Sequence, residues 1–330
     1  MTLRFLSEAD VRQLLPMREA VAVQQEAFAR LSAGEAVTGL RRFVLSEEPP
    51  GVVIFNPAFL KGGRGFGVKV VSDFYDNDRR GMERMTALLV LCDGQTGQPR
   101  AVLSAGALTD LRTGGVAGLA ASLLARPDAA VLGVVGAGRV ARHQIPAVCE
   151  VRPIEAVRIA SRGAARAEAL QADLARAWRG QGPQVSLVQH AEEAVREADV
   201  VITATTSQAP VVAGQWLKPG VTVIASGAHA PDARELDSEV IRTADLVVVD
   251  SREDCLEAAG DLLIPMREGL LRRERVSELG EIVLGLRPGR QAPEARIVFK
   301  NMGVPLQDLI TGQELLRRAE AAGVGLLVDL

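Results

Sequence analysis

Apolar runs alternate with amphipathic segments between residues 131 and 249, and this alternation constrains the fold more than any other feature. Short, continuous apolar runs suit strands that are buried on both faces, and the segments between them have helical spacing. Such alternation predicts an α/β fold with a parallel, doubly wound sheet of the Rossmann type. The predicted strands are Val131–Val135, Ala156–Ala160, Val185–Val188, Val200–Ala204, Val221–Ala225 and Leu246–Val249.

The first predicted strand ends in a glycine-rich turn, GAGRVA, which leads into a helix. Gly136 allows a tight turn, Gly138 lets the backbone approach a pyrophosphate, and Ala141 keeps the helix close to the strand. Free N–H groups at the helix start then bind the anion. A merely tight turn is the alternative, but the strand–turn–helix context favours a dinucleotide. The predicted cofactor contacts are Gly136, Ala137, Gly138, Arg139 and Val140.

The end of the second strand bears on the identity of the dinucleotide. An acidic residue here would bind the ribose 2′-hydroxyl of NAD. This chain has Ser161 and Arg162 instead, with Arg166 one turn later. A hydroxyl and guanidinium groups suit a 2′-phosphate, so the sequence favours NADP, with NAD as the alternative. Solvated arginines at an exposed helix start are the other interpretation.

The first half of the chain has a different pattern. Ser7 and Asp10 mark a helix start, which predicts that the chain begins with a helix. From about Arg41 to Leu103, short β-rich runs separated by turn residues indicate an antiparallel sheet. The segment LTDLRTGG then starts a helix rich in Gly and Ala, and the final segment VPLQDLITGQELLRRAEAAGV is helical and is expected to pack on the first half.

Three cations in this half are candidate substrate ligands. Lys69 lies within GFGVKVVSD, on the same strand face as Gly67 and Val71, where a lysine is costly unless an anion meets it. Arg112 lies near the predicted helix start, and Arg41 precedes a strand. If the three converge, they form a carboxylate site. A surface charge or an ordinary ion pair is the alternative for each.

Composition excludes several other functions. The net charge of −3 gives no basic excess for nucleic acid, and no apolar run approaches the ~18 residues of a membrane span. Three widely spaced cysteines and three histidines argue against a disulfide framework and against a metal site. The mixed charges of the N-terminal segment are unlike a secretory signal, so we expect a cytoplasmic protein.

The sequence resembles the ornithine cyclodeaminase/mu-crystallin family over nearly its whole length. The blocks that carry the resemblance are GVKVVSD, TGQPRAVLSAGALTDLRTGGVAGLAASLLAR, GVVGAGRVARHQ, SGAHAPDARELD, SELGEIVLGLRPGR and IVFKNMGVPLQDL. The resemblance implies a homodimer. It also implies a substrate-binding and dimerisation domain of α+β type, residues 1–115 and 304–330, and a Rossmann domain, residues 116–303.

The resemblance also assigns site residues. Arg41, Lys69 and Arg112 would bind the substrate carboxylate, although Arg42 could replace Arg41 after a one-residue shift. Thr113 would contact a phosphate of the cofactor. The nicotinamide side would be lined by the TATTS segment, from which we take Thr203, Ala204, Thr205 and Ser207.

The resemblance leaves the reaction open. Ornithine cyclodeaminases carry an aspartate where this chain has His229, and an imidazole would not anchor an ammonium group. The favoured function is therefore reversible hydride transfer between NAD(P)(H) and the C=N bond of a small imino acid, with Lys69 and His229 as candidates for proton transfer. The alternatives are an ornithine or lysine cyclodeaminase with recycled NAD, and an NADPH-binding protein without turnover.

Overall fold

The structure is a computed structural model that describes residues 2–39 and 42–329. The chain divides into two compact units. The first contains the chain up to Arg112 and again from Val304, and the second is Thr113–Gly303. Helix α3, below, contributes residues to both.

The chain from its start to α3 contains seven strands and three helices within the described residues, and it opens with a strand. They are β1 (Thr2–Leu6), α1 (Glu8–Leu14), α2 (Met17–Ser32), β2 (Ala36–Thr38), β3 (Arg42–Ser46), β4 (Gly51–Leu60), β5 (Gly65–Phe74), β6 (Met85–Cys92), β7 (Pro99–Ser104) and α3 (Ala105–Leu124).

The second unit continues with alternating strands and helices. They are β8 (Val131–Val135), α4 (Arg139–Cys149), β9 (Ala156–Ala160), α5 (Ala164–Trp178), β10 (Gln184–Val188), α6 (Ala191–Val195), β11 (Val200–Thr203), β12 (Thr222–Ala225), α7 (Ser238–Arg242), β13 (Leu246–Val249), α8 (Arg252–Ala258), α9 (Gly260–Arg267), β14 (Val276–Glu278), α10 (Leu279–Val283) and β15 (Ile297–Lys300). The chain then returns to the first unit with α11 (Pro305–Ala322) and β16 (Leu326–Asp329).

The sheet of the first unit is mainly antiparallel, as predicted. Its order is β16-β1-β7-β6-β5-β4-β2, and β3 also pairs with β4. The prediction that the chain begins with a helix is wrong, because β1 precedes α1. The place of this strand is set by partners that are distant in the chain, β7 in parallel and β16 in antiparallel register, which no local pattern reports. Pro16 separates α1 from α2, because a proline lacks the N–H that a continuous helix needs.

Helix α11 packs on one face of this sheet, as expected. Two glycines allow the close approach: a Cβ on Gly67 would lie 3.4 Å from Leu309 Cδ1, and one on Gly312 only 2.5 Å from Leu89 Cδ2. The helix is therefore held directly against β5 and β6, and its first turn lies over the sheet face that carries Lys69.

The opposite sheet face is apolar and exposed. Phe5 pairs with Leu326, and Val70 lies between Phe55 and Leu88 in the register, so these side chains share that face. Phe5, Phe55, Leu88 and Leu326 each expose more than a third of their surface. A continuous apolar sheet face of this kind is typical of an interaction surface.

The sheet of the second unit is parallel, which confirms the predicted fold class. Its order is β10-β9-β8-β11-β12-β15-β13-β14. Strands β9 and β11 flank β8 on opposite sides, so the strand order reverses at β8. In such sheets a crevice for ligands lies outside the carboxyl ends of the strands at the reversal.

Three elements were not predicted or were placed wrongly. Strands β14 and β15 were missed because they follow segments without clear periodicity. Helix α3 begins at Ala105, directly after β7, so Arg112 lies two turns inside the helix rather than at its start. Across the described residues, no helix is both long enough and apolar enough to cross a bilayer.

Candidate functional site

The glycine-rich turn has the geometry of a phosphate cradle. Gly136 has a φ of +111°, and a Cβ there would lie 2.5 Å from the carbonyl oxygen of Ala204, so only glycine fits. Gly138 is the N-cap of α4 and provides no side chain to bind the first N–H groups of the helix. A Cβ on Gly138 would meet open space, which a ligand can occupy. Ala141 is fully buried, as its predicted packing role requires.

This cradle fits a dinucleotide pyrophosphate. The N-cap residue of α4, Gly138, gives the first helical turn no side-chain hydrogen bond, and the positive end of the helix dipole favours an anion at that position. Ala137 lies between the two glycines and is half-buried. The turn also follows β8, where the strand order reverses, so position and local geometry agree.

The end of β9 presents a polar and basic surface. The Ser161 hydroxyl accepts a hydrogen bond from the Gly163 N–H at 3.3 Å, which shapes the turn into α5. Arg162 and Arg166 are exposed, and within the part of the chain that the structure describes neither forms an ion pair. Their guanidinium groups are thus available to an anion.

The loop after β11 is tied to a buried glutamate. Glu235 is completely buried, and its Oε1 accepts a hydrogen bond from the Thr205 N–H at 2.6 Å. Its Oε2 accepts from the Thr203 hydroxyl at 2.9 Å and from the Gly227 N–H at 2.7 Å. Ala204 lies between these contacts, and the Ser207 hydroxyl closes the loop by donating to the Ala209 carbonyl at 2.7 Å.

The loop after β12 contains His229. Its Nε2 lies 3.0 Å from the Ser226 carbonyl oxygen, and because a carbonyl only accepts, this contact assigns the proton to Nε2. The preceding residue, Ala228, accepts a hydrogen bond from Lys300 Nζ at 2.7 Å. Lys300 is fully buried and pairs with Asp261 at 2.8 Å, so a buried ion pair lies beneath this loop.

In the first unit, two of the predicted cations meet at a carboxylate. Lys69 Nζ lies 2.7 Å from Asp308 Oδ2 and 3.3 Å from the Thr109 hydroxyl. Arg112 Nε lies 3.4 Å from Asp308 Oδ1, yet both atoms are buried and form no hydrogen bond. The side chains of Lys69 and Asp308 expose 5% and 4% of their surface, so this is a desolvated pair.

The first turn of α11 holds Asp308 in place. Gln307 donates to Gln24 Oε1 at 2.9 Å, and Gln24 donates to the Thr311 hydroxyl at 3.0 Å. The Val304 N–H donates to Gln307 Oε1 at 2.8 Å. All these groups are buried, and the helix dipole favours a carboxylate in the first turn. Asp308 is therefore a fixed anion.

The remaining predicted residues are placed as follows. Arg41 lies outside the described residues, and the neighbouring Arg42 begins β3 and is exposed. Thr113 is buried in α3. Within the described part of the chain, no three His, Cys, Asp or Glu side chains lie close enough to hold a metal ion.

Sequence reasoning missed Asp308 and Glu235. Both lie in blocks that were singled out, IVFKNMGVPLQDL and SGAHAPDARELD, but neither was given a role. An acidic residue three positions after the proline that opens a helix was a usable signal for Asp308, because the helix dipole favours a carboxylate there. For Glu235 there was no such signal, because its three donors come from two separate loops.

Comparisons with known proteins agree with this architecture. The model of the ornithine cyclodeaminase/mu-crystallin family matches residues 2–322. A Delta(1)-pyrroline-2-carboxylate reductase of Bacillus cereus is 34% identical over 321 residues, 97% of this chain and 98% of the relative.

Two solved structures are similar over their full length. The Delta(1)-pyrroline-2-carboxylate reductase of Thermococcus litoralis, in complex with NADH and L-proline, has a TM-score of 0.91 at 34% identity, covering 99% of this chain and 100% of its own. An archaeal alanine dehydrogenase dimer with bound NAD has a TM-score of 0.89 at 31% identity, covering 100% of both chains.

Replacing each turn glycine by alanine separates folding from ligand binding. Gly138→Ala adds a methyl group in open space at an ordinary φ of −89°, so we expect an unchanged melting temperature and at least tenfold weaker nucleotide binding. Gly136→Ala forces a clash and a strained φ, so we expect a loss of about 1–3 kcal/mol of unfolding free energy. Calorimetric titration and chemical denaturation measure both. Undiminished nucleotide affinity in Gly138→Ala would contradict the assignment.

Proposed function

The chain belongs to the ornithine cyclodeaminase/mu-crystallin family, and from this premise we propose that it is an NAD(P)-dependent reductase of small imino acids. The proposed reaction reduces the C=N bond of a cyclic or linear α-imino acid and is reversible. Relatives that are named Delta(1)-pyrroline-2-carboxylate reductase and alanine dehydrogenase support this choice. The side chain of the substrate is left open.

The observation that carries the proposal is the buried group of Lys69, Arg112 and Asp308. Two cations share one carboxylate, so the group has an excess of positive charge that a substrate carboxylate would offset. Arg112 Nε is buried without a hydrogen-bond acceptor, and a guanidinium binds a carboxylate through paired N–H groups. We propose Lys69 and Arg112 as carboxylate ligands, with Arg41 as a third.

The proposed reaction needs a phosphate site, a hydride and a proton. A nicotinamide, when bound, would supply hydride for the imine carbon. The turn of Gly136, Gly138 and the first N–H groups of α4 binds the pyrophosphate, with Thr113 as a further phosphate contact. Lys69 Nζ is proposed to donate the proton that the imine nitrogen takes up, because it lies at the proposed carboxylate site, 2.7 Å from Asp308 Oδ2. His229 is the second candidate for this proton.

NADP is the proposed cofactor, and NAD is the alternative. Arg162 and Arg166 are exposed at the end of β9, where the ribose of the dinucleotide is bound in this fold. Ser161 is half-buried beside them. Guanidinium groups without carboxylate partners attract a 2′-phosphate and have no comparable ligand in NAD.

Two alternative functions can be distinguished from imine reduction by experiment. A cyclodeaminase would release ammonia from ornithine or lysine without net change in NAD(P)H, and His229 disfavours it because an imidazole does not anchor an ammonium group. A nucleotide-binding protein without turnover would bind NADPH and consume none with any imine. Assaying ammonia and nicotinamide absorbance together distinguishes all three.

The exposed apolar sheet face supports a homodimer as part of the proposal. Phe5, Phe55, Leu88 and Leu326 share this face, and a second copy of the chain is the proposed occupant, since a structurally similar alanine dehydrogenase is a dimer. A cytoplasmic location is also proposed, supported by three free cysteines.

Sedimentation velocity tests the dimer. We expect a dimer at micromolar concentration for the wild-type protein and a shift toward monomer for Leu88→Glu, which places a charge in the apolar face. Glu83→Lys changes an exposed residue near β6 and serves as the control. A wild-type monomer at all concentrations would exclude the dimer.

Arg112→Lys tests the carboxylate site. Lysine keeps the positive charge but lacks the guanidinium fork, so we expect the KM for Delta(1)-pyrroline-2-carboxylate to rise about tenfold or more. Arg12→Lys, an arginine of the same unit that pairs with buried Asp110, is the matched control and should leave KM unchanged. Loss of nicotinamide absorbance measures both. Equal KM values in the two variants would remove Arg112 from the site.

Arg162→Ala tests the cofactor preference. We expect the KM for NADPH to rise about tenfold, because a charge-assisted hydrogen bond is lost, while the KM for NADH stays within twofold. Arg179→Ala, at the C-cap of α5, removes an arginine at the opposite end of that helix and is the control. An equal rise in the KM for NADPH and for NADH would contradict the proposed preference for NADP.

A further inference from the structure

One buried carboxylate connects the ends of two neighbouring strands. Glu235 accepts hydrogen bonds from Thr203 and Thr205 at the end of β11 and from Gly227 just after β12. Strands β11 and β12 pair in parallel, so both loops leave the sheet at the same edge. Glu235 is completely buried and binds this edge from within.

These loops adjoin the phosphate turn. The Cβ position of Gly136 lies 2.5 Å from the Ala204 carbonyl oxygen and 3.2 Å from Thr205 Cγ2. A Cβ on Gly227 would lie 2.3 Å from the Thr205 carbonyl oxygen, so the loops after β11 and β12 also pack backbone against backbone. A displacement of Thr205 would therefore reach both the phosphate turn and the loop that carries His229.

The surroundings of Glu235 act on its pKa in both directions. Burial, the largest cause, and the neighbouring Asp261 raise the pKa of Glu235 above its usual range, although Lys300 and the donors Thr205 and Thr203 act in the opposite direction. Asp261 Oδ1 accepts hydrogen bonds from the N–H groups of Glu235 and Leu236 at 2.7 and 2.9 Å and so fixes the backbone. Lys300 thus lies among two carboxylates and the Ala228 carbonyl.

We propose that Glu235 is a positioning residue for the nicotinamide half of the cofactor: it holds the loops after β11 and β12 at the spacing that the nucleotide requires. This inference rests on the nucleotide site of the proposed function and deepens it. Glu235 does not touch the cofactor itself. It acts through the Thr205 and Gly227 N–H groups, whose backbone forms the edge of the crevice.

A second buried carboxylate provides a matched control. Asp199 accepts hydrogen bonds from the Ala130 and Val131 N–H groups at 2.9 and 3.0 Å and pairs with Lys218 at 2.8 Å. Asp199 therefore binds backbone N–H groups at the amino end of β8, whereas Glu235 binds groups at the carboxyl ends of β11 and β12. Asp199→Asn therefore removes a comparable structural contact of the same unit, away from the phosphate turn.

The experiment compares Glu235→Gln with Asp199→Asn. An amide in place of the carboxylate puts an NH2 group against backbone or hydroxyl donors, so at least one hydrogen bond to the loops is lost. We expect both variants to melt several degrees lower than the wild-type protein. We expect the Kd for NADH and NADPH, measured by calorimetric titration, to rise at least tenfold in Glu235→Gln and to stay within twofold in Asp199→Asn.

Thr203→Val is a milder variant that removes one donor at nearly constant volume, and it applies if Glu235→Gln does not fold. We expect its Kd for both nucleotides to rise about threefold. A wild-type Kd for both nucleotides in Glu235→Gln would overturn the inference. If Glu235→Gln does not fold, a wild-type Kd in Thr203→Val would overturn it instead. An equal loss of nucleotide affinity in Asp199→Asn would also overturn it. A wild-type protein that binds neither nucleotide would instead refute the proposed function.

Discussion

The cost of burying a lysine ammonium governs both regions of this protein that are candidates for function. An uncompensated charge in the interior is so unfavourable that a carboxylate must meet it, and removing one partner of such a pair costs about 3–5 kcal/mol. Lys69 meets Asp308 at 2.7 Å in the first unit, and Lys300 meets Asp261 at 2.8 Å in the second. Each pair orders its neighbours: the first turn of α11 in one case, and the backbone at Ala228 and Glu235 in the other.

The two pairs differ in the number of cations that face the carboxylate. Lys300 and Asp261 are fully buried with Glu235 nearby, and their hydrogen bonds go mostly to the backbone. These backbone contacts hold the segments around Ala228 and Glu235 in place. Around Asp308, by contrast, two cations share one carboxylate. Asp261 Oδ2 and Asp308 Oδ1 both lack a hydrogen bond, but in the Asp308 group the cation nitrogen Arg112 Nε lacks one as well. A buried guanidinium N–H without an acceptor is costly, so this group suits a further anionic ligand.

Much of the second unit could be predicted from the sequence. Apolar runs with helical segments between them specify a parallel sheet, and the predicted strand bounds agree with the structure to within one residue, for example Val131–Val135. The phosphate turn was equally accessible, because the φ of Gly136 and the close approach of Ala204 are demands that only glycine meets. The resemblance to the family, carried by LTDLRTGG and other blocks, was also correct. Strands β1, β14 and β15 were not predicted, because they lie outside the regular alternation of apolar runs and helical segments and are defined by partners that are distant in the chain.

The sequence by itself determined the local chemistry of this protein: where strands and helices alternate, which turn can bind a phosphate, and which lysine is placed on a buried face. Only the tertiary structure decided what meets that lysine and what holds the loops together. Asp308 is far from Lys69 in the chain, and Glu235 gathers its donors from two separate loops, so their contacts exist only after helix and sheet have packed. Local patterns report the cost of burying a charge, whereas the fold supplies the partner that offsets it.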